Sequence, residues 1–172
     1  KVYSVGRISF ENSTSYLCST IITLDVYDHV VILKFKSLIT LMDTLKERGV
    51  QYISGRIIRE NDAVMFDIDD TLIYTDGTPI TQMIELLHIA RHLGYKIVII
   101  TARPSIQHVI NWTINQLGKY NIPSDYLGFT SPSTKTLMKK QLPYNFVLSV
   151  GDLETDLTDS EHKLNTSNFS HS

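Results

Sequence analysis

Cysteine is nearly absent. Cys18 stands alone, so no intrachain disulfide can form, and a lone thiol fits a reducing compartment, which makes a cytoplasmic protein the expectation. No apolar run reaches the roughly 18 residues that a membrane-spanning helix needs, so no membrane partner is expected. Residues 1–10 lack the apolar centre of a signal peptide, and a chain opening on Lys1 is consistent with a piece trimmed from a longer one. No charge of one sign dominates: 16 Lys/Arg stand against 18 Asp/Glu, for a net charge of −2. That balance gives no support to a general binder of nucleic acid or acidic membranes. Five prolines and eight glycines in 172 residues exclude collagen-like and Pro/Gly-rich low-complexity architectures.

What remains is a chain with 42% apolar residues, enough for one domain with its own core and an appendage. Residues 16–24 and 30–35 are rich in β-branched and apolar types, and Tyr27-Asp28-His29 between them suggests a hairpin. Leu38, Ile39, Leu41, Met42 and Leu45 then fall at helical spacing, with Gly49 as a stop. From Ala63 the pattern changes to alternating strands and helices. Strands are expected at 63–68, 96–100, 126–129 and 145–150. Helices are expected from about 80 to 93, from Pro104 to Gly118 and from the 131–134 cap to Gln141. Asp76-Gly77 signals a tight hairpin after the first of these strands.

Such alternation with short links predicts an α/β fold, a doubly wound and mostly parallel sheet, with an N-terminal β-hairpin/helix extension. The expected division is 1–62 extension, 63–165 core and 166–172 disordered tail.

The chemistry concentrates at strand ends. Ala63-Val64-Met65-Phe66 runs into Asp67-Ile68-Asp69-Asp70-Thr71-Leu72, placing three carboxylates where open α/β sheets bind ligands. Acids so close repel one another in a half-buried site, and a divalent cation relieves that. Ile97-Val98-Ile99-Ile100 ends in Thr101-Ala102-Arg103-Pro104, where a hydroxyl and backbone N–H groups at a following helix N-terminus suit an anion. Lys135 opens a helix; Lys139 and Lys140, further along, read as a solvated face. Val150-Gly151-Asp152 follows the last apolar strand, and Asp156 lies one helical turn on. His88 and His92 have a zinc-compatible spacing but share a polar stripe with Thr81 and Glu85, so an ordinary solvated face is the reading there.

Taken in order, Asp-x-Asp-x-Thr, the strand ending in Thr101, Lys135 and Gly-Asp-x-x-x-Asp resemble the four motifs of the haloacid dehalogenase superfamily, over roughly residues 60–165. Thr-Ala-Arg-Pro with Gly-Asp-x-x-x-Asp-Leu is most similar to its acid-phosphatase-like branch. The resemblance implies a Rossmann-type core and a Mg²⁺-dependent phosphomonoesterase working through an aspartyl-phosphate. In that scheme Asp67 is the nucleophile and Asp69 the general acid/base. Thr101, Ala102 and Lys135 hold the phosphoryl oxygens. Mg²⁺ is held by Asp67, Asp152 and the backbone carbonyl of Asp69, with Asp156 and Arg103 supporting. In the superfamily an acid two residues after the nucleophile, here Asp69, goes with phosphatases rather than dehalogenases.

Asp67 to Thr101 and Thr101 to Lys135 are each 34 residues, too short for a cap domain, so a capless, open site is expected. An open site suits a phosphomonoester substrate on a macromolecule, or a lid supplied by another part; residues 1–62 are read as that lid, as a homo-oligomer surface or, equally, as extra layers packed on the core. The alternatives are a polynucleotide-end phosphatase and a catalytically silent binding module on the same fold.

Overall fold

The computed structural model describes residues 26–167. The chain forms two units that divide between Ile39 and Thr40, inside the first helix, α1 (Val26–Ile53). Of the first unit, the described residues are the N-terminal half of α1.

The second unit holds the rest of α1 and an all-parallel five-stranded sheet. Its elements run β1 (Asp62–Phe66), α2 (Thr81–Leu93), β2 (Lys96–Thr101), α3 (Gln107–Lys119), β3 (Tyr126–Phe129), a 3₁₀ turn (Pro132–Thr134), α4 (Lys135–Gln141), β4 (Asn145–Gly151), α5 (Glu154–Leu157) and β5 (His162–Asn165). Strand order is β3-β2-β1-β4-β5. The chain grows outward from β1 in one direction, then crosses back and grows in the other. The reversal falls between β1 and β4, so the crevice beyond their C-terminal ends is the switch point where such sheets bind ligands.

Both faces of the sheet are covered, which explains the unbroken apolar strands. Val64 to Phe66 and Ile97 to Ile100 have no exposed surface. Ala63, Met65, Val98, Ile100 and Phe146 form one cluster, against which Tyr126, Met138, Leu142 and Tyr144 pack. Each fully buried large apolar side chain contributes about 1.5–3 kcal/mol. Asp62 pins the lower end of β1, accepting hydrogen bonds from Asn145 Nδ2 (2.8 Å) and the Arg59 N–H (3.0 Å).

The alternating series from Ala63 matches expectation closely, but the N-terminal region does not. Residues 30–35 are helical, not a strand; the expected strand at 16–24 lies outside the described residues. Val30, Val31 and Ile32 favour strands only by fractions of a kcal/mol, and a helix continued back from residues 42–53 overrides so small a preference. Gly49 does not stop that helix. Met42, Leu45, Gly49 and Ile53 recur at helical spacing on its buried face, and a Cβ at Gly49 would stand 2.5 Å from Leu86 Cδ2. Glycine is there for close approach, not for a turn.

Three further differences bear on the site. α3 begins at Gln107 rather than at Pro104. Apolar Ile106 and Ile114 are about half exposed, and only Thr113 and Leu117 of that helix are buried. β5 was not foreseen, and Thr166, assigned to the disordered tail, is fully buried; its hydroxyl meets Thr71 Oγ1 at 3.2 Å and donates to the Asp70 carbonyl. Residues 168–172 lie outside the described residues.

Candidate active site

Asp67 is the first residue beyond β1, and its N–H donates across to Val150 O of β4 at 3.0 Å. The chain then coils tightly. The Ile68 carbonyl accepts from the N–H groups of Thr71, Leu72 and Ile73, and Asp70 takes the left-handed conformation at φ +54°. That coil turns Ile68 and Leu72 into the core and leaves Asp69 and Asp70 partly exposed. Beyond it, Ile73 bridges Pro79 around a turn closed by Gly77 at φ +88°, the expected hairpin reduced to a single bridge.

Lys135, the first residue of α4, has no exposed surface. Its Nζ donates to Asp67 Oδ1 at 2.7 Å and to Asp156 Oδ1 at 2.5 Å. Asp156, on α5, is equally buried, and its second oxygen accepts the Leu153 N–H at 3.0 Å. Asp152, half-buried after β4, completes the group: one carboxylate oxygen each from Asp67, Asp152 and Asp156 lies within 4.8 Å of the others. Asp152 lies before α5, whose single turn begins at Glu154, so the two acids are brought together by the link after β4 and not by one helix face as the spacing suggests.

Three carboxylates around one ammonium leave two negative charges in excess, and the titration behaviour reflects it. Burial, opposed by Lys135 and reinforced by Asp156, pushes Asp67 up from 3.8 to about 7. Burial, with Asp156, also raises Asp152. Burial works against the Lys135 ammonium, but the charges of Asp67 and Asp156 outweigh it and hold it above the ordinary lysine value. A divalent cation bound by this group would supply the missing charge. The cluster is all carboxylate, with no imidazole or thiolate, which suits a hard ion such as Mg²⁺ better than zinc.

Gly151 makes this geometry possible. A Cβ there would stand 2.3 Å from Asp156 Cβ and 2.5 Å from Asp156 Oδ2. The neighbour is held by both Lys135 and the Leu153 N–H and has nowhere to go. Gly151→Ala is therefore expected to cost about 1–3 kcal/mol, the usual penalty for overpacking. Thermal melting checks it: for a chain of this size the midpoint falls by about 2–12 °C.

The remaining predicted residues divide. Thr101 ends β2, fully buried, its Oγ1 accepting the Arg103 N–H at 3.2 Å. Ala102 is exposed, and no helix N-terminus stands behind it, because α3 starts five residues later; the expected helix-end contribution is absent. Ala102, Arg103, Pro104, Ser105, Thr130 and Ser131 line an open cleft of about 250 Å³. The Asp69 side chain does not join the three-acid group; it is held by Arg103. Asp70 accepts from Thr75 Oγ1 at 3.2 Å. His88 and His92 take part in no metal-competent group among the described residues.

Lys139 was misread. It is buried, not solvated, and its Nζ donates to Ser149 Oγ, Asp156 O, Thr158 O and Ser160 Oγ, 5.0 Å from the Phe146 ring. The signal was present: Lys139 is four residues after Lys135, so a helix that turns one inward turns the other the same way. Lys140 is exposed, as read.

In comparisons with known proteins, no family model and no curated protein matches the chain. Among solved structures, the class C acid phosphatase from Bacillus anthracis with tungstate bound matches at 16% identity and TM-score 0.54. A second structure of that enzyme matches at 14% and 0.53. Both cover 73% of this chain and 65% of theirs. A structure of the Pnkp1/Rnl/Hen1 complex matches at 22% identity and TM-score 0.46, over 60% of this chain and 43% of that one. This chain thus spans under two-thirds of the length of each of these three chains. No helix among the described residues is long and apolar enough to cross a membrane. The all-parallel sheet of order β3-β2-β1-β4-β5 makes this a Rossmann-like fold, and its likeness to the class C acid phosphatase structures is a likeness of fold.

Proposed function

We propose that this chain is a Mg²⁺-dependent phosphomonoesterase whose nucleophile is Asp67. The observation that carries the reading is the buried group of Asp67, Lys135, Asp156 and Asp152 at the β1/β4 switch point, with Thr101 at the end of the adjacent strand. A site with two surplus negative charges has no use for an anionic substrate unless a cation accompanies it. Asp67, Asp152 and the Asp69 carbonyl would hold Mg²⁺, which when bound neutralises charge between nucleophile and phosphoryl group.

The residues then divide the work. Lys135 holds Asp67 Oδ1, which leaves Oδ2 to attack phosphorus. As the Asp67–phosphorus bond forms, the ester P–O bond breaks, and Asp69 gives a proton to the departing oxygen. A water molecule next attacks phosphorus, gives a proton to Asp69, and the Asp67–phosphorus bond breaks to release phosphate. Thr101 Oγ1 already accepts the Arg103 N–H, so its own hydrogen is free to donate to a phosphoryl oxygen. Lys135 and the Ala102 N–H serve the others, and Asp156 keeps Lys135 in place.

Phosphate release from a broad monoester panel tests this. With Mg²⁺ the protein is expected to release phosphate, chelation to lower the rate at least about 100-fold, restored Mg²⁺ to recover it, and tungstate to compete. Release indifferent to chelation overturns the metal-dependent mechanism. No release from any ester favours the silent binding module instead. The polynucleotide-end variant predicts, in addition, DNA affinity that falls steeply with salt.

A further inference from the structure

Asp69 is not loose at the site mouth. Arg103 grips it with two nitrogens, Nε to Oδ2 at 2.9 Å and Nη2 to Oδ1 at 2.6 Å, the parallel fork that fixes a carboxylate in plane as well as position. Arg103 is itself held on every side. Its third nitrogen, Nη1, donates to Thr113 Oγ1 at 3.1 Å and Gln116 Oε1 at 2.8 Å, and its guanidinium lies 4.5 Å from the centre of the Trp112 ring. Arg103 is 8% exposed, whereas the Asp69 side chain is 40% exposed, so the carboxylate is pinned from behind and open in front.

From this arrangement we infer that Arg103, bracketed by Trp112, Thr113 and Gln116 of α3, is the positioning residue for Asp69 and sets its aim at the leaving-group oxygen. The inference rests on the phosphatase reading and adds a residue and a helix face to it. α3 has an otherwise weak claim on the core, with Ile106 and Ile114 half exposed and only Thr113 and Leu117 buried. Its polar face has a purpose if it supports an arginine. Gln116 falls four residues after Trp112 and three after Thr113, so it lies beside both along the helix. Tyr120, a further turn on, donates its hydroxyl to the Gly77 carbonyl, so the same surface also holds the turn that follows the nucleophile loop. A lysine cannot replace the arginine, since it offers a point charge and no fork.

The test is leaving-group dependence. A group that acts on the departing oxygen matters most when that oxygen is a strong base. In Arg103→Met, kcat on glycerol phosphate is expected to fall at least about tenfold further than kcat on 4-nitrophenyl phosphate, within the range of general acid catalysis, with KM nearly constant. Arg103→Lys should not restore the difference. In an Asp69→Asn background, Arg103→Met should add little, because the residue it aims is gone. Gln116→Leu loosens the arginine without removing it and should give a smaller fall with the same leaving-group signature; it carries the test if Arg103→Met does not fold. A wild type that releases phosphate but whose variants lose equally on both esters, or lose chiefly in KM, overturns the positioning role and leaves the phosphatase reading standing. A wild type that releases none overturns both.

Discussion

Asp67→Asn is expected to abolish phosphate release, by a factor of about 10⁴ or more, and at the same time to stabilise the metal-free protein. The first effect follows from chemistry: a carboxamide has the shape of the carboxylate but is no nucleophile, and it forms no acyl phosphate. The second follows from burial. Asp67 is 5% exposed, and its surroundings push it up from 3.8 to about 7. A carboxyl raised on folding binds its proton more tightly in the folded state, so the stability tied to that proton is whole below 3.8 and lost as pH rises through about 7. At pH 8 the loss is at most about 4 kcal/mol, and asparagine escapes it because it has no charge to bury. Chemical denaturation without metal should therefore show wild type losing stability between pH 4 and pH 7, with the variant flatter across that window. Mg²⁺ should stabilise wild type more than the variant. A variant less stable than wild type at pH 8 without metal would mean that Lys135 outweighs the repulsion from Asp156 and the cost of burial.

The parts of the molecule legible in advance were those written as local patterns. Four apolar residues followed by an acid describe β1 and Asp67, because a strand buried on both faces admits only apolar side chains and its last residue must meet the crevice. Apolar runs likewise announce β2, which ends at Thr101, and β4, where Ser149 is the one buried polar exception before Asp152. What failed depended on partners distant in sequence. Val30 to Phe35 look like a strand until one sees that no described strand pairs with them and that a helix anchored at Met42, Leu45 and Gly49 runs back through them. Thr166 looks like tail until its hydroxyl is placed between Thr71 and the Asp70 carbonyl, 95 and 96 residues earlier. Arg103 was seen as a neighbour of Thr101, but its hold on Asp69 depends on α3, which no strand-end motif encodes.

Lys139→Met, away from the acid group itself, should destabilise the fold. Its Nζ donates to the carbonyls of Asp156 and Thr158 at the C-terminal end of α5, and to Ser149 and Ser160 Oγ. A cation at a helix C-terminus both satisfies orphan carbonyls and meets the negative end of the helix dipole. Two effects compete in the substitution. Methionine removes an ammonium that burial has pushed down to about 8, which alone would help. It also takes a donor from two carbonyls and two hydroxyls; Ser149 and Ser160 Oγ still meet each other at 2.6 Å and Ser160 Oγ still donates to Thr158 O, so the loss falls chiefly on the Asp156 carbonyl, at about 1–3 kcal/mol for a group left unsatisfied. The lost hydrogen bonds, with the buried packing of the lysine stem, outweigh that gain, and a net loss of about 1–3 kcal/mol is expected, a fall in melting midpoint of about 2–12 °C. Lys140→Met, one residue on and exposed, should change stability by less than about 0.5 kcal/mol. The pH dependence separates the two effects. An amine whose folded value lies below its unfolded 10.5 costs stability whenever it must be charged, so wild type regains that cost as pH rises from about 8 towards 10.5. The methionine variant has no such proton to lose, and its deficit relative to wild type should widen across that interval. Because α5 carries Asp156, which holds Lys135 against Asp67, phosphate release should weaken along with the fold. If the deficit narrows with rising pH instead, the ammonium rather than its hydrogen bonds is what stabilises this corner, and the charge on Lys139 serves the acids it lies behind.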